Sequence, residues 1–361
     1  MSPAPARSLR RLVVEPGRYT YPQSELAAAL RARVAALPDA RPICQMVGFI
    51  AQQSGIDARH LEFEVDAIDA RTDWYRLVNE ATLSMARRAL LSLCGGDVAE
   101  LRRLDGLIAV SSSFAGFPAL SRRLQADLGL DPGALCYDLA GLGCAGPTQG
   151  LFLADTLLSS GACRRVCVVC VDAMGTHGES RVHQTLPDVS QVVAHCLASD
   201  GAAAALLTAE DPDAGEPPVM TWRASAIDTR LWSDALDQND FTASADNQPL
   251  IAVGKAIRTR FLDELAPFLT PEAVASSMFI HPGGAALMTQ MAKAYPSLEA
   301  TVARSSHVLR THGNVGSASV LFVLADALER DTPLTSECRL LALGPGIVST
   351  LLTLQKVEVP T

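Results

Sequence analysis

The chain has 361 residues, 48% of them hydrophobic and 19% charged, and a net charge of −9 at pH 7. That length and apolar content fit one large domain or two closely packed halves, and the acidic balance without a basic tract argues against a nucleic-acid partner. No apolar run approaches the ~18 residues of a membrane span, and the N-terminal segment carries no stretch resembling a signal peptide. Nine scattered cysteines then read as reduced thiols, so a cytoplasmic protein with no membrane association is expected.

In chain order, helical and strand patterns alternate. Residues 79–93 space their apolar positions as a helix, 104–113 read as a buried strand, 118–130 as a helix and 164–172 as an apolar strand. An acidic, proline-containing stretch at 209–218 interrupts the pattern. Beyond it, 249–269 read as an amphipathic helix, 276–281 as a strand, and 338–357 as two strands around Gly344-Pro345-Gly346. Such alternation predicts α/β layers around buried sheets.

Two segments match each other: "GCAGPTQGLF" (143–152) and "GNVGSASVLF" (313–322). Gly143, Gly146, Leu151 and Phe152 fall on Gly313, Gly316, Leu321 and Phe322, with Cys144 opposite Asn314. An internal duplication is the expectation, with one half in 1–210 carrying the cysteine and the other in 211–361 carrying the asparagine. A pseudo-twofold would then bring together two residues 170 positions apart.

Cys144 stands in a glycine-rich turn opening a helix, where the N–H groups and partial positive charge of the helix N-terminus favour a thiolate. By contrast Cys163, Cys167 and Cys170 lie in an apolar strand and read as core packing. His281 ends a strand and leads through Pro282-Gly283-Gly284 into a helix, the strand-end position at which α/β proteins place functional groups. His312 is a competing candidate two residues before Asn314. His177, His183 and His195 share a loop region without metal-ligand spacing, so no metal site is expected.

Taken together, "GLGCAGPTQGL", "HPGGAAL", "LRTHGNVGSASVLFVL", "DGAAAALL" and "ALGPG" resemble the chalcone-synthase-like type III polyketide synthases of the thiolase superfamily. The resemblance spans nearly the whole chain. It implies a thiolase-like αβαβα layered fold from two duplicated halves, a homodimer, and an acyltransferase whose decarboxylative Claisen condensation of acyl and malonyl-type thioesters runs through an acyl-Cys144. His281 and Asn314 would complete the catalytic set, with no metal or redox cofactor. Ser113, Gly283 and the Gly344-Pro345-Gly346 turn would line the substrate cavity, and Phe117 would reach toward the partner's cavity in the dimer.

Departures from the family pattern bear on the substrate. Ala198 stands where an aromatic gatekeeper is usual, and Gly316 where serine is common; both changes predict a wider pocket beside Cys144. Residues 43–57, which in relatives carry bases that meet the phosphates of coenzyme A, carry none, leaving Arg31, Arg33 and Arg59 around them. Acyl-CoA and malonyl-CoA are therefore joined by a second expectation, a stand-alone pyrone-forming ketosynthase that joins two carrier-protein-bound β-ketoacyl chains. A non-catalytic acyl-binding scaffold is the alternative of another class.

Overall fold

A computed structural model describes residues 7–68, 72–181, 189–209, 220–233, 241–243, 249–251, 255–330, 332–344 and 348–356. Nine strands form one mixed sheet: β1 (Arg7–Pro16), β2 (Gly106–Ser111), β3 (Leu135–Ala140), β4 (Arg165–Ala173), β5 (Asp200–Ala209), β6 (Met220–Leu231), β7 (Ser277–Ile280), β8 (Glu337–Leu343) and β9 (Val348–Lys356). Their order is β7-β8-β9-β6-β1-β5-β4-β2-β3.

The same pairing pattern occurs twice. β1 is antiparallel to β5, β5 to β4, and β4 is parallel to β2; β6 is antiparallel to β9, β9 to β8, and β8 is parallel to β7. β1 and β6 join the two sets through Arg7–Leu9 against Met220–Trp222. β3 extends the first set, pairing in parallel with β2, and has no counterpart among the described residues.

Strand alternation sorts the core into layers, because successive side chains point to opposite faces. Ile108, Val110, Val168, Cys170, Ala203 and Ala205 face one cluster with Leu151, Ala154, Val320 and Phe322 of the helices Gly146–Ser159 and Ser319–Glu329. Their neighbours Leu107, Ala109, Cys167, Val169, Ala202 and Ala204 face the helix Trp74–Leu93 on the other side. In the second strand set, Phe279, Leu340 and Leu352 meet the central helices, while Met278, Ile280, Leu341 and Leu351 meet the outer helices Lys255–Leu265 and Ala285–Ala294. The result is a five-layer stack in which helices cover both faces of each strand set of the one sheet. Being buried on both faces explains why β4 reads as a continuous apolar run.

Every strand and helix expected from the chain-order pattern is present, with one change. Residues 249–251 pair as a short strand with 241–243, and the described helix is Lys255–Leu265. The apolar Pro249-Leu250-Ile251 run is too short to tell strand from helix by periodicity alone. All nine cysteines are free thiols, and Cys163, Cys167 and Cys170 are buried core residues. Among the described residues, no helix is long and apolar enough to cross a membrane.

Candidate active site

Cys144 sits in a single 3₁₀ turn, Gly143–Ala145, that runs directly into the central helix Gly146–Ser159. Gly143 has φ +54, a left-handed conformation that glycine adopts without steric cost. The Gly143 N–H donates to Ser112 Oγ at 3.0 Å, which ties the turn to the loop after β2. Asn314 precedes the matching 3₁₀ turn, Gly316–Ala318, which opens the second central helix. These two turns touch, and the Cys144 turn also packs against β8.

His281 follows β7 directly, and its backbone N–H donates to Leu341 O of β8 at 2.9 Å. The same strand β8 leads to Gly344, where a Cβ would stand 2.9 Å from Leu142 O and 3.3 Å from Ala145 N. Gly344 is therefore glycine because the backbone before Cys144 lies against it. The Cys144 turn thus touches both the turn that follows Asn314 and β8, the strand that accepts the His281 N–H.

Each catalytic candidate has a defined electrostatic state. Burial pushes the Cys144 thiol well above its ordinary value, and the Asp172 carboxylate adds to that push. Cys144 is 6% exposed, so loss of solvation disfavours the thiolate and opposes the acidification expected from the helix N-terminus. His281 is lowered to about 4, again by burial, so its imidazole is neutral at pH 7. Its Nδ1 is buried with no hydrogen-bonding partner among the described residues.

Asn314 is half-buried, and its side chain has one available orientation. Oδ1 accepts from Gly316 N–H at 3.0 Å and from Ser319 Oγ–H at 3.2 Å. Both acceptor positions are taken, which leaves the Nδ2–H groups to offer a ligand.

The other expected residues divide. Gly283 lies beside the imidazole, a Cβ there falling 3.6 Å from Cδ2 and 3.7 Å from Nε2 of His281. Ala198 is joined to Asn314 by an isolated backbone bridge. Ser113 holds its hydroxyl in structural bonds, accepting from Ala173 N–H at 3.0 Å and lying 3.0 Å from Thr82 Oγ1. Phe117 is 92% exposed on the single chain. Pro345 and Gly346 lie outside the described residues.

Gly316 requires a correction. A Cβ there would stand 2.5 Å from Asp172 Oδ2, and φ is +61, so the missing side chain makes room for a carboxylate and not for substrate. An apolar cavity does border His281 and Gly283, but Phe261, Leu287, Met288 and Leu341 around it belong to the outer core, and neither Cys144 nor Asn314 lines it.

The arginines near residues 43–57 are largely committed. Arg59 is 1% exposed and donates to Gln23 Oε1 at 2.8 Å, to Ala198 O at 3.0 Å and to His195 O, with Glu179 at 3.8 Å. Arg33 pairs with Glu179 and donates to Val65 O at 3.0 Å. Among the described residues no group of three His, Cys, Asp or Glu side chains is arranged to hold a metal ion.

Sequence reasoning missed Asp172 and Ser112. Both stand at C-terminal ends of neighbouring strands, where a polar residue ending an apolar run is the available signal.

The architecture is that of a thiolase-like fold. The chain is similar over 97% of its length to the structure of CsyB complexed with CoA-SH, covering 100% of that chain at 19% identity with a TM-score of 0.83. It is similar over 98% to the C-terminal type III polyketide synthase domain of Steely1 from Dictyostelium, covering 100% of that chain at 18% identity with a TM-score of 0.81. Residues 137–221, which include Cys144, match the family model of 3-oxoacyl-[acyl-carrier-protein (ACP)] synthase III. Type III polyketide synthase 10 of Oryza sativa subsp. japonica is 28% identical over 293 residues, 74% of this chain and 70% of the rice protein. The protein is a homologue of the type III polyketide synthases, condensing enzymes that transfer acyl groups.

Proposed function

We propose that the protein catalyses decarboxylative Claisen condensation through an acyl-Cys144 intermediate, giving a polyketide such as a pyrone or resorcinol. One observation carries this reading: the Cys144 turn touches the turn that follows Asn314 and also β8, the strand that accepts the His281 N–H, while the Asn314 carboxamide is held oriented.

Neutral His281 takes the Cys144 proton as the thiol attacks an acyl thioester; the acyl carbon–sulfur bond to the carrier breaks, and His281 passes that proton to the departing thiolate. His281 and Asn314 Nδ2–H then donate to the carbonyl of a malonyl thioester. Its carbon–carbon bond to the carboxylate breaks, carbon dioxide departs, and the electron pair remains as an enolate held by those donors. The enolate carbon attacks the acyl-Cys144 carbonyl; a carbon–carbon bond forms and the Cys144 thiolate leaves. A buried thiol that is protonated at rest suits this order, because it ionises only when a substrate and a base are in place.

The proposed substrates are acyl-CoA and malonyl-CoA. Delivery on acyl carrier proteins is a second reading, favoured by the commitment of Arg59 and Arg33 to internal partners and not to a phosphate. The proposal includes a homodimer with Phe117 at the subunit contact and two duplicated halves, 1–210 and 211–361; the exposure of Phe117 and the repeated strand pairing support these.

Labelled malonyl and acyl groups offered on coenzyme A and on carrier protein, followed by mass analysis of the Cys144 peptide, test the proposal. Acylation at Cys144, abolished in Cys144→Ala, is expected. Equal loading of wild type and Cys144→Ala would indicate an acyl-binding scaffold, and loading from coenzyme A as fast as from any carrier would remove the carrier reading.

A further inference from the structure

We propose that Asp172 is the positioning residue that sets the Cys144 turn against the Asn314 turn. Its carboxylate is fully buried at the end of β4. Oδ1 accepts from Ser112 N–H at 2.7 Å, Ser113 N–H at 3.0 Å and Ser111 Oγ–H at 3.3 Å. Oδ2 accepts from Ser317 N–H at 2.7 Å, inside the turn that follows Asn314.

Ser112 carries the connection onward, since its Oγ accepts the Gly143 N–H at 3.0 Å, one residue before the nucleophile. A continuous path therefore runs from the Asn314 turn through Asp172 and Ser112 to Cys144. Gly316 completes it, because any side chain there would displace Oδ2.

The residue type matters. All four donors are neutral N–H or O–H groups, and burying an ion among neutral partners is costly. Only a carboxylate accepts on both oxygens; an asparagine would turn an NH₂ toward one set of N–H donors. The same charge also pushes the Cys144 thiol up, which works against a nucleophile. A carboxylate is thus kept in a place that hinders thiol ionisation but fixes the two turns, and position is the property it serves.

Those opposed effects supply the test, whose turnover arm rests on the proposed acyl-Cys144 chemistry. The full-length Asp172→Asn and Ser112→Ala proteins are checked for folding by thermal melting. Cys144 alkylation by iodoacetamide is then followed against pH, and product formation from acyl and malonyl thioesters is timed. In Asp172→Asn, alkylation is expected to shift to lower pH while turnover falls about 10- to 100-fold, the scale set by misplaced reacting groups. Ser112→Ala, which keeps the charge, is expected to slow turnover about 10-fold without shifting the alkylation profile.

A folded Asp172→Asn protein with turnover within about 2-fold of wild type overturns the proposal, and an unshifted alkylation profile overturns the coupling of its charge to the thiol. Should Asp172→Asn not fold, unchanged turnover in Ser112→Ala overturns it. A wild-type protein that alkylates at Cys144 yet forms no product counts against the proposed function. The alkylation shift, read without substrate, then still supports or overturns the coupling of Asp172 to the thiol.

Discussion

Ala198 and Asn314 are backbone partners: the Asn314 N–H donates to Leu197 O at 2.9 Å, and the Ser199 N–H donates to Asn314 O at 2.8 Å. Arg59 fixes the same segment by donating to Ala198 O. A side chain added at 198 is therefore held beside the proposed oxyanion donor. Ala198→Phe is expected to slow condensation of long acyl thioesters about 10-fold more than that of short ones, since lost apolar contact grows with each methylene excluded. Competition between short and long acyl donors measures this. An equal loss for both would show that volume at 198 does not select substrate length.

Arg59 separates internal clamping from phosphate binding. Its guanidinium is buried, and desolvation lowers its pKa against the opposing pull of Glu179. Removing one member of a buried charged pair leaves the other uncompensated, at about 3–5 kcal/mol in comparable sites; Arg33 still reaches Glu179 and softens this. Arg59→Gln is expected to lower the melting temperature clearly, without changing the preference for coenzyme A thioesters over pantetheine thioesters. A selective rise in KM for coenzyme A thioesters with an unchanged melting temperature would assign Arg59 to the phosphate instead.

These contacts show what the sequence could and could not reveal. Cys144, Asn314 and His281 were legible because glycines mark turns and strand ends, and the matched segments at 143 and 313 pointed to paired helix starts. The layered fold was legible in β4 and β5, whose uninterrupted apolar runs signal burial on both faces. Gly316 was misjudged for a physical reason: a glycine signals missing volume but not what fills it, and Asp172 lies 144 positions away. The burial that opposes ionisation of Cys144 was likewise hidden, because a helix start is local and visible while burial depends on every layer around it. Ser113 showed only its chemistry in sequence; the partners that occupy its hydroxyl are distant.

His312 gives a stability signature that depends on pH. Burial lowers it to about 4, His60 and His307 add to the effect and Asp326 opposes it; His312 Nδ1 lies 3.3 Å from His60 Nε2, and its ring packs edge-on to Phe322. The unfolded histidine titrates near 6.5, so between about 6.5 and 4 the unfolded chain binds a proton that the folded chain refuses, and stability falls as pH falls. Other buried groups titrate in the same window, His281 in the same sense and Asp200, raised to about 6, in the opposite sense. The difference between two proteins isolates His312 together with its contact to His60, which burial also lowers. Wild type minus His312→Gln melting temperature is expected to shrink by about 2–4 °C between pH 7 and pH 4.5. A constant difference would mean that His312 takes its proton as easily folded as unfolded.

Gly316 tests whether the space beside the Asn314 turn belongs to substrate or to Asp172. With φ +61 and a Cβ position 2.5 Å from Asp172 Oδ2, an alanine must strain the backbone and push the carboxylate away from Ser317 N–H. Left-handed backbone at a non-glycine residue costs about 1–3 kcal/mol, and the clash adds to it. Gly316→Ala is therefore expected to melt earlier and to lose turnover with short and long acyl donors alike, because both depend on the same pair of turns. If the glycine instead opened a substrate cavity, the alanine protein would melt as wild type does and lose activity only with the largest acyl groups. Melting curves and a two-donor competition on one preparation distinguish the two outcomes.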